Sequence, residues 1–355
     1  MTGAHDVTVH PPRLRVGIVG AGFMAETHLA ALAAEDVQAI VYNRDADRAT
    51  ALAGRFGAGL ATTFEELLEA VDVVDVCTAT HRHATFAIAA AAAGRHVIVE
   101  KPLARTLEDG TAILSACERA GVRLFVAHVV RYFPEYEAAH RLVASGAIGD
   151  PAVVRLKRAS FRPRHGAGHW LFDTAQSGGM ILDLMVHDFD YARWVAGDVV
   201  SVHCRSVGIE RPQLGVDHAF AILTHASGAI SHITGSWAYA APTFRTALEI
   251  AGSHGLIEHD SESSKPIVSY LHPGRADHGD GDAGQAVGLP ASPVREDPYR
   301  LELREFLRAI AEGTPARVTA RDGLEALRIA LAADESARTG RVVRLPPTPV
   351  PEVAR

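Results

Sequence analysis

Along the first third of the chain, short aliphatic runs alternate with alanine-rich stretches whose apolar side chains recur every three or four positions. "RLRVGIVG" (13–20), "VQAIVYN" (37–43), "VDVVDVCTA" (71–79), "HVIVE" (96–100) and "RLFVAH" (123–128) are almost continuously apolar. That pattern predicts parallel strands covered on both faces. The intervening "AETHLAALAAE", "RATALAGRF", "TFEELLEA", "HATFAIAAAAAG" and "TLEDGTAILSACERAG" carry helical spacing. Several stop at a glycine, as a left-handed cap requires. Repeated strand–helix units predict an α/β fold with a doubly wound parallel sheet over residues 14–128, after a tail at 1–13.

Near Asp150 and Pro151 the pattern changes. Residues 152–162, 199–209, 217–225, 229–239 and 244–252 predict antiparallel strands, with a hairpin at "ASG" (226–228). One helix, carrying "GGMILDLMVHDFD" (178–190), interrupts them. Residues 261–296 are rich in Gly, Pro, Ser, Asp and His and predict a long irregular loop. A helix then starts with Asp297 as N-cap and Pro298 at its first position, and stops at Gly313. A last helix is predicted from about Gly323 to Gly340. The expected second unit is an α+β domain with an open, mostly antiparallel sheet over 129–345, followed by a tail at 346–355. No internal repeat is visible.

With 355 residues and 48% hydrophobic content, the chain can bury two cores. The net charge of −7 and the lack of a basic cluster argue against a nucleic-acid surface. Cys77, Cys117 and Cys204 are widely spaced and odd in number, which fits a reducing compartment rather than a disulfide framework. The N-terminus has no signal pattern and no apolar run is long enough to span a bilayer. The expectation is a cytoplasmic protein with no membrane partner.

"VGIVGAGFMAETH" supplies Gly20 and Gly22, then Ala25 where a dinucleotide fingerprint usually has its third glycine. The segment follows a predicted strand and opens a predicted helix, the setting this motif needs. Gly20 would make the turn, and Gly22 would admit a pyrophosphate to the helix N-terminus beside Phe23 and Met24. A glycine turn in some other α/β fold is the plainer alternative, but the strand, helix and second strand at the right distance put the cofactor reading ahead. About 20 residues on, where an acid would grip an NAD ribose, stand Asn43 and Arg44. These favour the 2′-phosphate of NADP over NAD, unless a one-residue slip puts Asp45 on the ribose.

Glu100, Lys101 and Pro102 follow a predicted buried strand, at the end where open α/β sheets bind ligands. Lys101 is then either a substrate-hydroxyl contact or a surface residue paired with Glu100. Within 178–190, Asp183 and His187 are four apart and share one face of a helix starting near Gly179. A secondary alcohol sheds a proton as its hydride leaves, and a histidine titrating near neutrality suits that proton. Such assistance contributes roughly 10²–10⁴-fold in rate. A carboxylate beside the ring would raise its pKa and burial would lower it. Asp188 and Asp190 are expected to be structural, for instance pairing with Arg193. A solvated surface pair is the bland alternative for Asp183 and His187. A zinc set of His165, His169, Asp183 and His187 ranks low without a compact ligand motif, and no metal is expected.

Taken together, GxGxxA, EKP near residue 100, "RYFPEY" (131–136) and "GGMILDLMVHDFD" resemble the Gfo/Idh/MocA family of NAD(P)-dependent oxidoreductases. "GAIGDP" (146–151), "EGTPARVTARDGLEAL" (312–327) and "ESARTGRVVRL" (335–345) extend the resemblance over nearly the whole chain beyond residue 13. It implies a Rossmann domain, a second domain with the open sheet, and a polyol, inositol or sugar substrate between them. It also implies roles: Lys101 orients the substrate hydroxyl, His187 is the general acid/base, and Asp183 contacts substrate and supports the histidine. Thr78, Thr80 and His83 match a T-P-x-x-x-H segment near the nicotinamide, with Ala79 in place of the proline. Glu100 and Lys101 join the cofactor set, and Trp170 and Arg131 the substrate set. The Lys101–Pro102 bond is implied to be cis in many members, and assembly to be a homodimer or homotetramer through the sheet face. Alternative uses of the same fold are redox-neutral elimination or glycoside cleavage with a tightly held cofactor, or a non-catalytic NAD(P) sensor.

Overall fold

The apolar runs of the first third form the parallel strands that their pattern predicts. β1 (Arg15–Val19), β2 (Gln38–Tyr42), β3 (Gly59–Leu60), β4 (Val73–Val76), β5 (His96–Glu100) and β6 (Leu124–Ala127) lie in the order β3-β2-β1-β4-β5-β6. Every pairing among them is parallel. All residues of β4 and β6 are buried, as two covered faces demand. Strand order reverses between β1 and β4, so the connections leaving their carboxyl ends diverge and open a crevice. The structure is a computed structural model that describes residues 14–35, 37–163, 168–208, 217–240, 243–263 and 296–346, with 268–271 described in backbone only.

The second sheet has eight strands. They are β7 (Pro151–Phe161), β8 (Val199–Val207), β9 (His218–His225), β10 (Ile230–Tyr239), β11 (Phe244–Gly252), β12 (Gly255–Asp260), β13 (Val268–Leu271) and β14 (Val343–Arg344). Their order is β13-β12-β11-β7-β10-β9-β8-β14. The predicted hairpin at 226–228 joins β9 to β10, closed by the His225 N–H on the Ala229 carbonyl at 2.9 Å. One pairing departs from the antiparallel expectation, because β7 and β10 run parallel. Parallel neighbours need a long crossover, and the helices and strands between β7 and β10 supply it. Part of the predicted 261–296 loop is ordered as well, since Val268–Leu271 pair along the edge of β12. Residues 264–267 and 272–295 lie outside the described residues.

The C-terminal helices bind the two sheets together. The helix Pro298–Glu312 has its expected Asp297 cap and Gly313 stop. It returns to the first sheet, where Leu303 and Phe306 share a core with Val16, Ile18 and Leu29. The Phe306 ring stacks on Phe125 of β6 at 4.8 Å. Residues 129–345 therefore serve two cores. The last helix runs Ala320–Thr339, starting before Gly323 because Thr319 and Asp322 form a capping box. Gly323 is instead a packing glycine, for a Cβ there would lie 2.4 Å from Val126 Cγ2.

Segment 178–190 is not the single helix expected. It forms Gly179–Asp183 and Val186–Ala196, separated by Leu184 and Met185. At the junction the Met185 N–H reaches back to the Met180 carbonyl at 3.3 Å, a wide turn that offsets one helix from the other. Charge pairing fixes the second helix. Arg158 of β7 grips the Asp188 carboxylate through Nε and Nη2 at 2.9 and 3.0 Å. Arg131 grips Asp190 at 2.8 and 2.6 Å and also reaches Asp322 at 3.3 Å. Arg193, the partner expected from sequence, pairs with Asp198 and Asp322 instead, because Asp188 and Asp190 face inward.

Truncating Asp188 would strand the buried Arg158 guanidinium. Asp188→Ala is expected to cost about 3–5 kcal/mol in urea unfolding, and Asp188→Asn less. A loss below about 1 kcal/mol, the scale of an exposed pair, would contradict this account.

Candidate active site

A cleft of about 1130 Å³ opens at the carboxyl ends of β1, β4 and β5 and is closed on its far side by β7, β10 and segment 169–184. Its first wall is the glycine turn. Gly20 has φ 127°, and a Cβ there would meet the Cys77 carbonyl at 2.4 Å, so only glycine fits without moving the chain. Gly22 is the N-cap of the helix Phe23–Leu32 and has no side chain to satisfy the first amides. A Cβ at Gly22 would point into open space. Free helix amides beside that space fit a pyrophosphate. Phe23 and Met24 line the same cleft, and the buried Ala25 fills the place of the third glycine.

At the end of β2, Asn43 and Arg44 line the cleft together with Tyr42, Arg48 and Arg82. Asp45 is turned away to cap the next helix, its side chain accepting from the Arg48 N–H at 3.2 Å. Beyond β4, Thr78, Ala79 and Thr80 form the floor. Ala79 holds φ −63° and ψ 140°, the backbone a proline would impose, so the substitution leaves the loop shape intact. His83 stands behind this floor rather than on it. Its ring nitrogens face the Pro102 and Thr78 carbonyls at 3.0 and 3.1 Å, and it ties the two loops together.

The Lys101–Pro102 bond is cis. Lys101 Nζ donates to the Asp183 carbonyl at 2.9 Å and to its carboxylate at 3.2 Å. Both side chains sit on the cleft wall. The helix break after Asp183 thus turns that residue toward Lys101, and the expected Asp183–His187 pair is replaced by Asp183–Lys101. His187 is half-buried one turn further on, near enough for the Lys101 charge to act on it, and its Nδ1 is buried without a hydrogen-bond partner. Burial, followed by the positive charges of Lys101 and Arg158, holds its pKa well below the ordinary histidine value. The ring is therefore a neutral acceptor at physiological pH, contrary to a carboxylate-raised imidazolium.

Trp170 lines the cleft as expected. Arg131 does not: it is 1% exposed and spent on Asp190 and Asp322, so its assignment to substrate is corrected to a structural one. Trp237, Phe161, Phe244 and Leu184 also line the substrate side and were not singled out from sequence. The strands of Trp237, Phe161 and Phe244 were legible, but which face meets the cleft depends on the packing of two sheets, and Leu184 sits at the helix break. Of the weighed zinc set, His165 lies outside the described residues. His169, Asp183 and His187 do not gather within ligand distance of one another, and among the described residues the compact His/Cys/Asp group is His28, Asp75 and Cys77. No helix among the described residues is long and apolar enough to cross a membrane.

Residues 14–128 match the family model described as "Oxidoreductase family, NAD-binding Rossmann fold", and residues 136–258 match "GFO/IDH/MocA C-terminal domain". The chain is 30% identical over 343 residues to a myo-inositol 2-dehydrogenase of Thermotoga maritima, covering 94% of this chain and 98% of that one. It is 31% identical over 342 residues to a 1,5-anhydro-D-fructose reductase of Ensifer adhaerens, covering 93% and 98%. Among solved structures, levoglucosan dehydrogenase in complex with NADH and levoglucosan superposes with a TM-score of 0.83 at 26% identity, covering 94% and 100%.

The depressed pKa of His187 can be read directly by NMR of the labelled imidazole. The ring is expected to stay neutral at pH 6, and Lys101→Met is expected to raise its pKa by removing a nearby cation. Titration of the wild-type ring at or above about 6.5 would contradict this electrostatic picture.

Proposed function

The chain belongs to the GFO/IDH/MocA family of oxidoreductases, and from that footing we propose that it interconverts a secondary hydroxyl and a ketone on a polyol, inositol or sugar. The observation that carries this reading is the meeting of Lys101 Nζ with Asp183 on the cleft wall, with His187 one turn beyond Asp183 and its pKa held down by burial and the Lys101 charge. Gly20, Gly22, Phe23 and Met24 would hold the pyrophosphate of NAD(P), and Thr78 and Thr80 would border its nicotinamide. Bound NAD(P) supplies the hydride acceptor or donor.

The remaining chemistry belongs to this chain's side chains. The Lys101 ammonium donates to the substrate oxygen and stabilises negative charge as it develops there. The neutral His187 imidazole accepts the hydroxyl proton in oxidation and returns it in reduction. The Asp183 carboxylate holds Lys101 and accepts from a neighbouring hydroxyl, a group that polyols and sugars provide. Trp170 and Trp237 offer flat apolar surface to the C–H face of such a ring. The names of the relatives, an inositol dehydrogenase and an anhydrofructose reductase, agree with this substrate class.

NADP is the preferred cofactor in this reading. Arg44 and Arg48, beyond β2, and Arg82, beyond β4, line the cleft and can form charge-assisted bonds to a 2′-phosphate, while Asp45 is occupied as a helix cap. Exposed Phe220 and Ile230 on β9 and β10 support assembly as a homodimer or homotetramer through the open sheet face.

Lys101→Ala and His187→Ala are each expected to lower kcat by about 10²–10⁴-fold while cofactor still binds, followed at 340 nm on a polyol and sugar panel. Turnover near wild type in both variants would overturn the catalytic assignment. Arg44→Ala is expected to raise KM for NADPH at least about tenfold, the loss of one charge-assisted contact, and to leave KM for NADH little changed. A strong wild-type preference for NADH would reverse the cofactor assignment.

A further inference from the structure

At the base of the cleft, which Cys77 and Glu100 line, the buried His28, Asp75, Cys77, Glu100 and Glu302 form a polar group to which the chemistry above gives no proton-transfer role. His28 comes from the helix Phe23–Leu32, and Asp75 and Glu100 from β4 and β5. His28 Nδ1 lies 2.8 Å from Asp75 Oδ2. Its Nε2 lies 3.0 Å from Glu100 Oε1, an ion pair whose angle falls short of a good hydrogen bond. The other oxygen of Glu100 accepts the backbone N–H of Lys101 at 2.9 Å. One imidazole therefore bridges two carboxylates, and the second of these holds the backbone of the lysine that reaches Asp183.

We propose that His28 is a positioning residue for the reaction: by tying Glu100 to Asp75 it fixes the Lys101 backbone and so the direction of Lys101 Nζ toward Asp183 and the substrate oxygen. The inference rests on the reading that Lys101 handles the substrate oxygen. Without a cation between them, two carboxylates on adjacent buried strands would repel, and one would take up a proton or turn away. A protonated or displaced Glu100 would release the Lys101 amide. His28, Asp75 and Cys77 also lie close enough to gather around a metal, with Cys77 Sγ 3.4 Å from His28 Nδ1. Both ring nitrogens face carboxylates, however, and burial pushes the Cys77 thiol up, so the ring is placed as a cation between two carboxylates rather than as a ligand.

The surroundings support a charged ring. Burial opposes an imidazolium at His28, and its acidic neighbours Cys77 and Asp75 raise the pKa against it; with the Cys77 thiol protonated, the 2.8 Å contact to the Asp75 carboxylate is the one that favours charge. Burial also works against an ionised Glu100, and His28 and then Lys101 overcome it, holding that carboxyl below its usual range. From the helix Pro298–Glu312, Tyr299 faces the His28 ring at 6.5 Å. Glu302, from the same helix, is buried with neither carboxyl oxygen hydrogen-bonded. Burial and then Glu100 push its pKa well up, which favours its neutral form and leaves Glu100 as the ionised partner.

Two amides separate the two halves of the bridge. His28→Asn places an N–H where Nδ1 stood and keeps the Asp75 contact, whereas His28→Gln places one where Nε2 stood and keeps the Glu100 contact. The proposal expects Gln to retain kcat within about threefold and Asn to lose about tenfold or more, with KM for NADPH within about twofold in both. Equal kcat in the two variants, or a better Asn variant, would overturn it, because a purely structural histidine has no reason to favour the Glu100 side. If neither variant folds, ¹⁵N NMR of the wild-type His28 ring decides. Protons on both nitrogens at pH 7 support the bridge, and a neutral ring overturns it. Loss of turnover in Lys101→Ala alongside full activity in His28→Asn would defeat this inference alone; turnover surviving Lys101→Ala would defeat the catalytic reading beneath it.

Discussion

The arrangement of this site depends on the cost of burying carboxylates. Segment 178–190 carries Asp183, Asp188 and Asp190 in apolar company, and each needs a cation once water is excluded. Arg158 and Arg131 meet Asp188 and Asp190, and these two bidentate pairs pin the helix Val186–Ala196 against β7 and the last helix. Asp183 is left on the cleft side of the helix break, where Lys101 meets it. The break itself lets neighbouring carboxylates face opposite ways, two into the core and one into the cleft. A continuous helix over the same residues would have set Asp183 beside His187.

That division of charge also governs the environment of His187, the proposed acid–base group. With Asp183 committed to Lys101, the half-buried His187 stands near cations and no carboxylate offsets its burial. It is thereby kept neutral, the form that can accept a proton from an alcohol. The same economy recurs under the cofactor turn, where His28 separates Asp75 from Glu100 and Glu100 holds the Lys101 amide. Lys101 is thus anchored at both ends: its backbone through β4 and β5, its ammonium through Asp183.

Much of this was legible in the residues. The parallel sheet followed from uninterrupted apolar runs, and Gly20, Gly22, Asn43, Arg44, Lys101 and Asp183 were expected at the cleft they line. What sequence spacing did not convey were facts about pairing across distance. Asp188 pairs with a residue 30 positions away and Asp190 with one 59 away, and nothing local marks Arg158 or Arg131 as their partners. Arg131 accordingly read as a substrate contact. The break after Asp183 was hidden because Leu184 and Met185 are good helix formers, and tertiary packing overrides their propensity. Trp237 was visible as a strand residue, but its place on the cleft wall exists only once the two sheets meet.

The central claim is that hydride leaves a substrate carbon while Lys101 and His187 manage the oxygen and its proton. Incubation of the protein with C-deuterated polyols and oxidised NADP or NAD, followed by mass spectrometry of cofactor and product, tests it most directly. The account predicts one deuterium in each released reduced cofactor, formed in step with a ketone. Substrate consumed with no deuterated reduced cofactor released would contradict it, since the chemistry would then be redox-neutral.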